Sequence, residues 1–175
     1  MIREFKIFES HTTDTNIYSI LNNGTLQEKK DIIFLSKDHV FRNWKKRIIH
    51  ALIHYDAELL EYCLTFFTDI NTVDFFRMTA LNYAIKDNKF EHLKLLIENG
   101  ADVNIGHENN LYLAAVNTDR EHYKYTLETL IELDCEWNDN FVENIHENYK
   151  KYFLTKYKDK YEKYLKQKKS KKFNL

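Results

Sequence analysis

The amino-acid sequence predicts an all-α solenoid of stacked helix-turn-helix units, closed by a C-terminal capping helix. Residues 44–71 align with residues 77–104 at a constant offset of 33 and without a gap. A fixed period of this length is the signature of a repeat stack, in which each unit buries its apolar face against the next. The 175 residues contain no proline and only three glycines, which favours helices over turn-rich sheets and glycine-loop nucleotide folds. Apolar side chains make up 43% of the chain and recur at three- and four-residue spacing, so a core is available to helices.

Residues 1–12 carry Ile2, Phe5, Ile7 and Phe8, a pattern open to a short strand or a helical turn. Residues 13–36 read as a worn N-terminal capping repeat. Ile17, Ile20 and Leu21 form one apolar face, Asn22-Asn23-Gly24 breaks it, and Leu26, Ile32 and Ile33 resume it. Thr25 stands three residues before Glu28, the spacing of a capping box. Lys29 and Lys30 are expected on a wettable outer side, as an end repeat requires.

Residues 44–71 form the next unit. Ile48, Ala51, Leu60 and Cys63 stand where Leu81, Ala84, Leu93 and Leu96 stand in residues 77–104. Phe67 replaces Gly100, so this helix end is expected to differ, because the left-handed position costs a bulky residue about 1 kcal/mol. Residues 109–138 repeat the pattern with altered spacing. Leu111 and Ala114 lie 30 residues beyond their counterparts, whereas Leu127 and Leu130 lie 34 beyond theirs. The connection before this unit is therefore shortened, and an insertion falls between its two helices around Thr118, Asp119, Arg120 and Glu121. Over 139–166, Phe141, Ile145, Tyr149, Tyr152 or Phe153, then Tyr157, Tyr161 and Leu165 recur near every fourth residue, predicting one amphipathic capping helix. Residues 167–175 are a basic tail expected to fray.

The stretch Thr79-Ala80-Leu81-Asn82-Tyr83-Ala84, with Leu95-Leu96 and Gly100-Ala101-Asp102-Val103-Asn104 after it, resembles the ankyrin repeat. Ala80 and Asn82 replace the family's proline and histidine, which is expected to weaken its turn chemistry. The resemblance implies a scaffold that binds other proteins, holding no cofactor and no metal. It also implies where such a scaffold binds, on its fingers and the surface of its first helices. By position these are Ile53 and His54, then Phe75, Phe76 and Met78 with Lys86 and Asp87, then His107 and Glu108 with Val116 and Asn117. The Asp119–Glu121 insertion adds a loop to the candidate surface. Aromatic anchors dominate many protein interfaces, which singles out Phe75 and Phe76, the alternative being that one of the two rings packs under the finger.

His50 and His54, four residues apart, could place two imidazoles on one helix face, but no third ligand for zinc accompanies them. Cys63 and Cys135 have neither metal nor disulfide spacing, and fall at apolar positions of the repeat. No nucleophile–base pattern or phosphate-cradling loop stands out, so no catalytic residue is assigned. No apolar run approaches a membrane span, and the first residues lack the apolar core of a signal peptide, so the expected setting is the cytoplasm.

The net charge of −1 hides an asymmetry: Lys156–Lys172 carries +7, while Asp56–Glu147 carries −13. The acidic body is expected to steer in a protein partner with a basic face and to disfavour nucleic acid. The expected function is thus an intracellular module that inhibits or sequesters one partner. Settings include an immunity protein against a bacterial toxin, or a viral or bacterial factor acting on a host or defence protein. The alternative is a nucleic-acid- or membrane-associated protein using the lysine-rich C-terminal helix.

Overall fold

The computed structural model describes residues 14–36, 56–65, 69–106, 108–116 and 122–173. The regular structure of these residues is entirely α-helical. The chain divides into two compact units, residues 1–69 and 70–175.

In the first unit, α1 (Asp14–Asn23) and α2 (Leu26–Ser36) pack together, and α2 packs on α3 (Ala57–Leu64). The expected capping box opens α2. The Thr25 N–H donates to Glu28 Oε2 at 2.7 Å and the Glu28 N–H donates to Thr25 Oγ1 at 3.3 Å. These bonds, the backbone one first, hold the Glu28 carboxyl below the usual range. Leu21, Ile32 and Ile33 meet the core, as do Leu59, Leu60 and Cys63 of α3. Lys30 corrects the expectation of an outward lysine pair. Its ammonium reaches Glu58 of α3 at 2.6 Å and lies over the Tyr62 ring, while Lys29 is half-buried. The apolar spacing of a short helix does not say which flank meets a neighbour.

The second unit contains α4 (Ala80–Lys86), α5 (Phe90–Glu98), α6 (Asn110–Ala115), α7 (Tyr123–Glu132), α8 (Asp139–Asn144), α9 (Glu147–Lys156) and α10 (Lys158–Phe173). Helices α4 and α5 form one hairpin and α6 and α7 another. The first helices line up, α4 on α6 and α6 on α8. Ala84 and Ala114 are buried at this seam, where a small side chain lets helices approach closely. Leu81, Leu93, Leu96, Leu111, Leu127 and Leu130 form the core the repeat pattern predicts.

Three helix ends in this unit use the same closure. The amide after the left-handed residue bonds back to the carbonyl five residues earlier, and the left-handed residue's own amide closes the bond inside it. Gly100 does this at φ +88, with Ala101 N–H to Leu96 O at 2.9 Å. Asn88 does it at φ +54 and Asp134 at φ +58, with Lys89 N–H to Ala84 O and Cys135 N–H to Leu130 O. Only the glycine announces itself in the sequence.

Asparagines tie consecutive units. Asn71 Oδ1 accepts the Asp102 N–H at 2.8 Å, and 33 residues later Asn104 Oδ1 accepts the Glu136 N–H at 2.8 Å. Deeper in, Asn82 Nδ2 donates to Asn110 Oδ1 at 2.6 Å, and Asn110 Nδ2 donates to Val103 O at 2.8 Å. Asn82 also completes a capping box, since its Oδ1 accepts the Thr79 N–H while Thr79 Oγ1 accepts its own N–H. Asn82 therefore restores the turn chemistry that the loss of the family's proline and histidine was expected to weaken.

The C-terminal segment departs from the single helix expected over 139–166. It breaks at Ile145, which is extended, and again at Tyr157. Asn138 and His146 start fresh helices, accepting from the Phe141 and Asn148 N–H groups. The four-residue spacing holds through Phe141, Ile145, Phe153 and Tyr157, which are buried, but past Tyr157 the buried residue is Tyr164 rather than the expected Tyr161 and Leu165, because the break resets the helix face. Helix α10 stays helical to Phe173, well past the expected onset of fraying at 167.

Candidate functional site

The finger before α4 is built around one carboxylate. Asp74 Oδ1 accepts the Phe76 and Met78 N–H groups, each at 2.9 Å, and Asp74 Oδ2 accepts the Tyr83 hydroxyl at 2.6 Å. Backbone bonds close the same loop, from Asp74 N–H to Met78 O and from Arg77 N–H to Asp74 O, both 3.0 Å. Arg77 takes the left-handed conformation at φ +60 that the tight turn requires. Burial, followed by the Asp74 bond, pushes the Tyr83 phenol up to about 12, so it remains a donor to Asp74 at neutral pH.

This bracing lifts two aromatic rings into solvent. Phe75 is 95% exposed and Phe76 68% exposed, edge to face with centroids 6.0 Å apart. They border a hollow of about 530 Å3 that also takes in Met78, Lys86 and Glu108, together with Arg77 and Tyr83. Five residues named from the sequence thus meet at one place. Asp87 and Val116 do not line it, although Val116 is exposed. Ile53, His54, His107, Asn117, Asp119, Arg120 and Glu121 lie outside the described residues, as do His50 and Phe67. Sequence reasoning missed Asp74 and Tyr83, the residues that hold the finger in place. An aspartate two and four residues ahead of the amides it receives is a turn signal that could have identified the first.

The lysine-rich C-terminus folds back on the acidic repeats. Lys156 reaches Glu128 at 2.6 Å and Glu132 at 3.6 Å, Lys160 reaches Asp134 at 2.5 Å, and Lys168 reaches Asp139 at 2.8 Å. Tyrosines reinforce three of these contacts: Tyr152 donates to Glu128, Tyr157 to Glu132 at 2.9 Å, and Tyr164 to Asp139. Burial works against ionised Glu128, but the Lys156 and Tyr152 bonds outweigh it and hold its carboxyl below the usual range. Lys160 does the same for Asp134, and Lys168 with Tyr164 for Asp139. Part of the basic charge is therefore spent on the chain's own acidic surface.

Both cysteines are free and buried. Burial raises both thiols, Cys135 to about 11, so neither is a thiolate at neutral pH. Among the described residues no group of three or more His, Cys, Asp or Glu side chains is arranged to hold a metal ion. No described helix is long and apolar enough to cross a membrane.

A family model described as Ankyrin repeats (3 copies) matches residues 45–140, more than half of the chain. Comparison with curated proteins and with solved structures finds no match. The matched span takes in α3 to α7 and the first residues of α8, and with it the paired helices, the shared helix-end closure and the asparagine ties between units. The chain belongs to the ankyrin repeat family.

Proposed function

We propose that this ankyrin protein is a non-catalytic module that captures one protein partner, with Phe75 and Phe76 as the anchors. The supporting observation is the pair of exposed rings on a finger held by three hydrogen bonds to Asp74. Leaving two phenyl rings in water forgoes a burial gain of roughly 1.5–3 kcal/mol each, which a complementary cavity on a partner would recover. A braced finger also loses little conformational entropy on binding, so more of that gain reaches the affinity. The charge of −13 over Asp56–Glu147 favours a partner with a basic rim around such a cavity and speeds the encounter. Capture of this kind occludes the partner's own surface. Inhibition or sequestration is therefore the expected consequence, as in an immunity protein or a factor aimed at a host or defence protein.

The experiment is affinity capture with mass spectrometry, wild type beside a Phe75→Ala/Phe76→Ala double variant, at low and high salt. The reading expects a partner retained by wild type, lost by the double variant, and captured more slowly as salt rises. Equal retention by both proteins would overturn the anchor. Salt-independent association would remove the basic partner.

A further inference from the structure

A second surface on the repeat body is unclaimed by the finger. Helix α10 carries two stripes of the same spacing. Lys160, Tyr164 and Lys168 lie at successive four-residue steps and are satisfied by the chain's own Asp134 and Asp139. Lys163, Gln167 and Lys171 repeat that spacing three residues later, on the adjoining face. Lys163 and Lys171 make no ion pair among the described residues, and Asp134, whose carboxylate Lys163 also favours, is already held by Lys160. All three side chains border a channel of about 580 Å3 that Trp137 also lines. A second hollow of about 460 Å3 shares Trp137, Gln167 and Lys171 with it, so the channel continues along the helix. The Trp137 indole N–H is buried there without a hydrogen-bond partner. Glu136, exposed on the rim, is the one acid lining the channel that makes no ion pair among the described residues.

We propose that this channel takes an extended acidic peptide segment with two carboxylates about four residues apart. Lys163 and Lys171 are eight residues apart on a helix, hence about 12 Å, which is too far for a single carboxylate to bridge. An extended chain advances about 3.3 Å per residue, so residues i and i+4 place carboxylates on one face at about 13 Å. Gln167 stands midway, where its amide meets the backbone of the central residue. The chain's own latch on the neighbouring stripe shows the chemistry at work, with two acids received by two lysines one helical stripe away. Two ammonium groups against one rim carboxylate leave the channel net positive, which sets it apart from the acidic repeat body.

The proposal is independent of the Phe75/Phe76 reading, and its test leaves the finger untouched. The full chain is titrated, at fixed low salt, into a fluorescein-labelled glycine–serine peptide carrying two glutamates separated by three residues. Anisotropy should report saturable binding that weakens about tenfold or more in K163Q/K171Q and is kept in K163R/K171R. E136Q should tighten it. A peptide with adjacent glutamates should bind more weakly, and one with lysines in their place should not bind. The exchanged side chains are exposed, so unchanged circular dichroism and melting temperature are expected of every variant. Equal binding by K163Q/K171Q would overturn the proposal. So would equal binding of the two glutamate spacings, which would mean attraction of any anion. Tighter binding of a single-stranded oligonucleotide, abolished by the same variant, would assign the stripe to nucleic acid instead.

Discussion

Replacing Asn110 by alanine tests the buried tie between consecutive repeats. Asn82 and Asn110 are both excluded from solvent, so their amide–amide bond of 2.6 Å cannot be exchanged for water in the folded chain. Removing the Asn110 carboxamide strands the Asn82 Nδ2 donor and takes one bond from the Val103 carbonyl, which keeps only the Cys135 thiol at 3.4 Å. A stranded buried donor costs about 1–3 kcal/mol and the lost bond about 1 kcal/mol, so the variant should lose about 2–4 kcal/mol. For a chain of this size that corresponds to a fall in melting temperature of roughly 5–15 °C. Urea unfolding followed by far-ultraviolet circular dichroism measures it, with the m-value checked for two-state behaviour. A double-mutant cycle with Asn82→Ala isolates the pair and should return a coupling of about 1–2 kcal/mol. A loss below about 0.5 kcal/mol, or additive single variants, would refute the claim that this bond couples the two repeats.

Leu96→Ala should cost about 2–5 kcal/mol, since its side chain is fully buried between helices, and an unchanged melting temperature would refute the repeat register. Gly106→Ala should destabilise more than Gly100→Ala by thermal melting. An added Cβ at Gly106 would meet Asn82 Oδ1 at 2.1 Å, whereas at Gly100 nothing lies within 4 Å and only the φ penalty of about 1 kcal/mol remains. Asp74→Asn should keep the helices but loosen the finger, detected as faster amide exchange at Phe76 and Met78. Acid should release the cap before the repeats. Glu128, Asp134 and Asp139 have carboxyls lowered in the folded chain, so their contribution is present above the unfolded carboxylate range and is lost as pH falls through the folded values. Limited proteolysis along an acid titration should therefore cut α9 and α10 first, and salt should shift that threshold upward.

The repeat core was legible because it rests on periodicity. A 33-residue offset places Leu60, Cys63, Leu93 and Leu96 without any three-dimensional information, and all four are buried. The helix ends were half legible. Gly100 states its left-handed conformation by lacking a Cβ, whereas Asn88 and Asp134 reach the same φ under side chains that tolerate it and do not advertise it. The cap was legible as a face and illegible as a shape. Spacing near four gave Phe141, Ile145, Phe153 and Tyr157 as inward residues but chose Tyr161 and Leu165 where Tyr164 is the buried one, and a break at Ile145 changes no spacing, so one helix could not be told from three. The finger was legible as a loop carrying two aromatics, with their exposure left open between an anchor and a ring packed under the finger. Its stiffness depends on Asp74 and Tyr83 meeting across nine positions, which no local pattern encodes.

The position that follows the second helix of each repeat shows how the stack passes into its cap. A Cβ at Gly100 would meet nothing within 4 Å, and the Gly100 carbonyl accepts only the Asn71 side-chain amide of the preceding repeat, at 3.5 Å. Its counterpart 34 residues later, Asp134, accepts the same left-handed backbone but turns a carboxylate to Lys160 of α10. Between α5 and α6 the chain makes a full connection over residues 99–109, whereas between α7 and α8 it uses residues 133–138 only. The residues of this shorter connection, Asp134 to Trp137, line one channel together with Lys163, Gln167 and Lys171 of α10. A longer connection after α7 would therefore compete with α10 for this space. Inserting residues 105–108 between Glu136 and Trp137 should undock α10, break its ion pairs with Asp134 and Asp139 and abolish acidic-peptide binding. Proteolysis of α10 together with peptide anisotropy checks both effects in one sample. Peptide binding that persists with α10 cleaved would show that the stripe does not need the shortened connection.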